Sequence, residues 1–179
     1  MASRAYERHY EEKVRIPAGA GEIFSYADDF SQLSSHMNKS SSMMMGGSME
    51  TSLDAARGQA VGSHVRMKGR MMGIELFLEE VVTEREPPHH KAWETIDRPR
   101  LLVMDRYRLG FDILSEGNRS SELRVFIDYD LPEAPGFRWL GLILGKTYAM
   151  WCVQKMVNDA RKHFAIPSIA AQAATLQSR

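Results

Sequence analysis

Between Gly62 and Pro132 the chain is written almost entirely in period two, and the breaks are too short for anything but hairpins. In "GSHVRMKGRM" Val65 and Met67 alternate with His64, Arg66 and Lys68. In "IELFLEEVVTE" Ile74, Leu76, Leu78 and Val82 share one side. "KAWETI" resumes after the proline turn "EPPHH", and "LLVMDRYRLGFDIL" follows "DRPR", with Val103, Asp105, Tyr107, Leu109, Phe111 and Ile113 facing together. "SEGNRS" marks a turn before "SELRVFIDYDLP", where Leu123, Val125, Ile127 and Tyr129 alternate with charged residues. Parallel neighbours need crossovers of about a dozen residues, so these strands are expected to pair antiparallel.

An earlier strand is read in "YERHYEEKVRIPA", ended by Pro17 and Gly19, and another in the segment from Met43 to Met49. Between them "GEIFSYADDF" and "DFSQLSSHM" have the spacing of two short helices. After Pro135 and Gly136 comes a single long helix, "RWLGLILGKTYAMWCVQKMVNDARKHF". At about 100° per residue it collects Leu142, Ala149, Val153, Met156, Ala160 and Phe164 into one stripe. Leu144, Tyr148 and Trp151 fall outside that stripe and call for a cover, either the segment of short helices or a second copy of the chain. The class is α+β: a curved antiparallel sheet of about seven strands around a long C-terminal helix. One domain is expected over residues 6–166, with flexible ends at 1–5 and 167–179.

Twenty-three basic and twenty-three acidic residues leave no net charge, which argues against broad electrostatic capture of nucleic acid. The lone Cys152, inside the apolar run, is read as a buried thiol and suits a reducing, cytoplasmic compartment. "MASRAYERHYEEK" has no apolar stretch that would read as a secretory signal. Lys146, Gln154 and Lys155 interrupt the helix before it reaches the roughly twenty apolar residues that span a bilayer, so no transmembrane segment is expected. Neither a histidine and cysteine cluster, a glycine-rich phosphate loop nor a G-x-S-x-G elbow is present, and no cofactor or metal is expected. His89 and His90 read as turn residues, His64 as outward and His36 as a candidate for the mouth of an interior space.

This order of elements resembles the helix-grip fold of the SRPBCC, or START-like, superfamily, which includes polyketide cyclase/dehydrase-type and lipid-transport proteins. The likeness rests on "VRIPAGAGEIFSYADDF", "VGSHVRMKG", "VVTEREPPHHKAWETI" and the terminal helix, and spans roughly Glu7 to Phe164. It implies an apolar cavity between sheet and helix that holds a small hydrophobic molecule such as a lipid, quinone or polyketide. Alternation would line that cavity with Val65, Met67, Leu76, Leu78, Trp93, Val103, Tyr107, Phe111 and Val125. Phe24 and Met45 would join from the preceding segments, and Leu142, Ala149 and Val153 from the helix. The same residues also suit a filled core. Twelve methionines, eight of them between Met37 and Met72, favour a site that re-packs around its ligand.

Three charged residues fall on apolar faces: Glu80, Asp105 and Lys146. Each must pair, reach solvent or meet something polar. As catalytic candidates, Asp105, Tyr107 and Lys146 would supply acid–base chemistry in the cavity of a polyketide cyclase or dehydratase. A third reading is a ligand-free interaction module or homodimer.

Overall fold

The computed structural model describes residues 5–30, 48–71, 74–117 and 119–177. Seven strands run in chain order: β1 (Arg8–Ile16), β2 (Ser48–Leu53), β3 (His64–Met71), β4 (Ile74–Glu86), β5 (His90–Arg100), β6 (Tyr107–Ser115) and β7 (Ser121–Tyr129). They form one sheet in the order β1-β7-β6-β5-β4-β3-β2, every pair antiparallel. Helix α1 (Ala20–Ala27) follows β1, with Ile23, Phe24 and Ala27 buried. The second short helix read from the sequence, and with it His36, Met43 and Met45, lies outside the described residues.

Two differences from the sequence reading concern the middle of the sheet. β5 continues through "DRPR" to Arg100, with Asp97 at a positive φ of 57°. Residues 101–106 are then an irregular connection, so Val103 and Asp105 precede β6 rather than lie in it. The register of β4 on β5 shifts between Phe77 and Glu79 and again between Val82 and Glu84. Such bulges bend and twist a strand, which a curved sheet requires.

The C-terminal helix has three parts: α2 (Pro135–Leu140), a π-helical turn (Gly141–Gly145) and α3 (Lys146–Gln177). The wider turn admits an extra residue and rotates everything before it relative to α3. The residues set against the sheet are therefore Gly141, Gly145, Ala149, Val153, Met156 and Ala160, all buried. A Cβ on Gly141 would meet Pro132 Cδ at 2.4 Å, and one on Gly145 would meet the Val103 carbonyl oxygen at 2.9 Å. Leu142, placed in the buried stripe by a uniform helical period, is 55% exposed instead. Ile143, Leu144 and Trp139 are exposed beside it, while Tyr148 and Trp151 are half-buried. The helix comes closest to β1 and β7 and touches α1.

On the outer face of the sheet a closed ring of ion pairs surrounds Phe126. Asp128 faces His9 at 2.6 Å, His9 faces Glu11 at 3.2 Å, and Glu11 accepts from Arg124. Arg124 then reaches Asp112, Asp112 faces His90 at 2.7 Å, and His90 faces Glu84 at 2.9 Å. Arg108 closes it, 2.8 Å from Glu84 and 3.8 Å from Asp128. Phe126 lies over Gly110, where a Cβ would meet its ring at 2.6 Å.

Candidate functional site

The inner face of β4 is set by alternation: Leu76, Leu78, Glu80 and Val82 are all buried, and Glu80, 2% exposed, has the only charge among them. Glu80 pairs with Val65 of β3 on one side and with Thr95 of β5 on the other. Thr95 positions its partner. Its hydroxyl accepts from the Tyr107 backbone N–H at 3.1 Å and lies 3.4 Å from the Tyr107 carbonyl, fixing the first residue of β6 beyond the last ladder pair of β5 and β6. The Tyr107 side chain, 8% exposed, then turns inward and its hydroxyl donates to Glu80 Oε1.

Glu80 Oε2 is buried with no hydrogen-bond partner among the described residues. The Trp93 indole N–H faces the carboxylate and favours its ionised form, while Oε2 is left without a partner at hydrogen-bond distance among the described residues. Burial pushes the Glu80 carboxyl up to about 7, and Tyr107 and Trp93 offset only part of that rise. Burial and the neighbouring Glu80 push Tyr107 well above the usual range for a phenol. Tyr148 and Cys152 of α3 lie against this pair. The Cys152 sulfur beside it and burial raise Tyr148, and burial takes the Cys152 thiol to about 12. Near neutral pH Glu80 is thus the member of this group that exchanges a proton.

The structure brings Val65, Met67, Leu78, Trp93 and Tyr107 to one inner surface around Glu80, and Ala149 and Val153 join the same core from the helix. Leu76 is buried further along β4, and Phe24 packs edge-on to Phe111 with ring centroids 5.7 Å apart. Beside Phe111 and Val125 only about 10 Å³ is open under Met156 and Ala160, so Phe111 and Val125 pack as core there. Leu142 takes no part. Val103 meets the glycines of the helix through its carbonyl, Asp105 is half-buried on the connection ahead of β6, where its N–H donates to the Asp130 carbonyl, and Lys146 is exposed. Of the three catalytic candidates Tyr107 alone reaches the interior pair. Its partner, Glu80, was visible in the sequence as a charge in register with Leu76 and Leu78.

The sequence reading missed a second buried charge. Lys91, in register with Trp93 and Thr95, is wholly buried, its Nζ 2.7 Å from Asp28 Oδ1 and 3.0 Å from the Asp28 carbonyl. Arg85 grips the same carboxylate through Nε at 3.2 Å and Nη2 at 2.9 Å. Burial raises Asp28, but the bonds from Arg85 and Lys91 outweigh it and hold the carboxyl below its ordinary value. This triad ties the end of α1 to β4 and β5. An open cleft of about 390 Å³ lies against it, lined by Phe24, Asp28, Arg85 and the Pro87–Pro88 turn.

Solved structures share this architecture. A norcoclaurine synthase point mutant from Thalictrum flavum superposes with a TM-score of 0.61 at 14% identity, over 90% of this chain and 96% of that one. The Zhui aromatase/cyclase from Streptomyces sp. R1128 gives 0.62 at 11% identity, over 88% and 93%. Ara h 8.0201 gives 0.55 at 10% identity, over 88% and 97%. The chain has the helix-grip fold. No family model matches the sequence, and no curated protein matches it either. At these identities the helix-grip likeness is one of fold, and no helix of the described residues is long and apolar enough to cross a membrane.

Proposed function

We propose that this chain binds a small apolar molecule between the inner face of β3–β6 and the C-terminal helix. The supporting observation is Glu80: a carboxyl buried among Val65, Leu78 and Trp93, with one oxygen paired to Tyr107 and the other unspent. A core built only for packing gains nothing from such a group, since an apolar residue of like volume serves better. Apolar burial would supply the affinity, at about 25 cal/mol per Å² before ordering losses, and Glu80 with Tyr107 would set orientation. The aromatase/cyclase and Ara h 8.0201 share the architecture and are consistent with this reading. Native mass spectrometry of protein purified without detergent tests it. A co-purified apolar adduct, or stoichiometric uptake of an added apolar compound, is expected; failure of both contradicts it.

A second reading has specific support. A carboxyl titrating at about 7 beside a protonated phenol is suited to general acid–base catalysis at neutral pH. In that reading ionised Glu80 takes a proton from bound substrate at Oε2, while the Tyr107 hydroxyl, donating to Oε1, holds the carboxylate in place. Asp105 and Lys146 have no role in it. Tyr107→Phe would then lower turnover of any substrate found by at least about tenfold while retaining apolar binding.

A further inference from the structure

Glu80 Oε2 is not alone: Thr51 Oγ1 is also buried without a partner among the described residues. Strand pairing places both on one surface. Thr51 stands opposite Met67 across β2 and β3, and Met67 stands opposite Leu78 across β3 and β4. Directly opposed residues share a face, so Thr51 faces inward with Met67 and Leu78. Glu80 is two residues beyond Leu78 on that face. Two strand spacings and two residues put the backbones of Thr51 and Glu80 roughly 12 Å apart. Val65, Met67 and Leu78 form the apolar floor between them.

The unmet valences define what would satisfy them. Oε1 of Glu80 already accepts from Tyr107, so the ionised group has acceptor capacity left at Oε2 and nothing to donate. Among the described residues the groups facing it are Trp93 of β5, Tyr107 of β6, and Tyr148 and Cys152 of α3, all neutral at neutral pH. A ligand carboxylate would put a second negative charge beside Glu80, where the described residues supply no positive one. A hydroxyl brings a donor to Oε2, which neither Tyr107 nor Trp93 satisfies. At the other end, the Thr51 hydroxyl both donates and accepts, so it takes a ligand hydroxyl or carbonyl alike.

Building on the proposed function, we infer that the interior receives a neutral apolar molecule with oxygen at both ends. A hydroxyl at one end donates to Glu80 Oε2, and an oxygen at the other meets Thr51 Oγ1. This favours a neutral hydroxylated apolar body over fatty acids, which carry a charge, and over quinones, which offer no donor.

Dissociation constants for a matched naphthalene series test the inference. At pH 8, where Glu80 is mainly ionised, 2-naphthol should bind the wild-type protein about tenfold more tightly than 2-methoxynaphthalene. 2,6-Dihydroxynaphthalene should bind more tightly still, and 2-naphthoate should bind least. At pH 5.5, where Glu80 is protonated and can itself donate, the preference for naphthol over its methyl ether should fall to within about threefold. Glu80→Gln should show the same reduced preference at both pH values. Thr51→Val should remove only the advantage of the second hydroxyl. Binding of naphthalene and all its derivatives with equal affinity would overturn the inference, with the two polar atoms then served by water only, and leave the apolar-binding proposal standing. Tightest binding of the naphthoate, or a hydroxyl preference untouched by pH and by Glu80→Gln, would overturn it too. Failure of the whole series to bind would overturn the inference, and together with no adduct or uptake by native mass spectrometry would remove the proposed function as well.

Discussion

A buried carboxyl that titrates near neutrality leaves a mark on stability whatever the protein binds. Glu80 is protonated in both folded and unfolded chains below its ordinary value of 4.5, so the site costs nothing there through ionisation. As pH rises from 4.5 to about 7 the unfolded chain loses the proton while the folded one keeps it, so stability falls across that window and levels off above it. The full loss is about 3 kcal/mol. Chemical denaturation of wild type and Glu80→Gln at pH 5 and pH 8 should show the difference moving by about that amount in favour of the glutamine variant. A pH-independent difference would mean that Glu80 is not held in an apolar site. Alternation in "IELFLEE" was enough to place this carboxyl on the inner face. It could not show that the bulges flanking Glu80 leave it in register instead of turning it out to solvent. The inward direction of Lys91 was equally legible, two residues before Trp93, but its partner Asp28 lies sixty-three residues away and no local pattern points to it.

At the level of elements, α1 and most strands followed from period and turn signals, but β2 lies at Ser48–Leu53, β6 begins at Tyr107 rather than Leu101, and the C-terminal helix did not follow from a single period. The π-helical turn at Gly141–Gly145 breaks the uniform 100° count, and Leu142 and Gly141 exchange places as a result. Gly141→Ala should therefore destabilise the fold by about 1–3 kcal/mol, because its methyl would collide with Pro132. Leu142→Ala, at an exposed position, should cost less than about 0.5 kcal/mol. Urea melts with the opposite order would restore an unbroken helix. The outer ring of ion pairs gives a second test. Both His9 nitrogens face carboxylates, and the hydrogen bond to Asp128 leads in raising its pKa above the ordinary 6.5. The stabilisation from His9 is then full below 6.5 and fades as pH rises through the raised value. His9 is half-exposed, so solvent limits the effect to a few tenths of a kcal/mol, roughly. His9→Gln should be less stable than wild type at pH 6 and equal to it at pH 9 by thermal melts.

At the scale of the whole molecule, the curved sheet and the C-terminal helix assemble two unlike ends. Toward α1 the interior is filled: Tyr26, Phe111, Met156 and Ala160 leave about 10 Å³. Around Glu80 the inner surface combines apolar side chains with two unspent polar atoms. Composition and alternation revealed the apolar face, but they do not distinguish a filled interior from one that accepts a guest, because both need the same residue types in the same register. The decisive signals come from three dimensions: which buried polar atoms lack partners, and where the small residues of the helix let it settle. The account is tested most directly by a methyl-labelled NMR titration with 2-naphthol. Saturable shifts concentrated at the methyl groups of Val65, Met67 and Leu78 are expected, with Leu142 and Ile143 unmoved. Shifts confined to Leu142, Ile143 and Leu144, with the inner methyl groups silent, would contradict it.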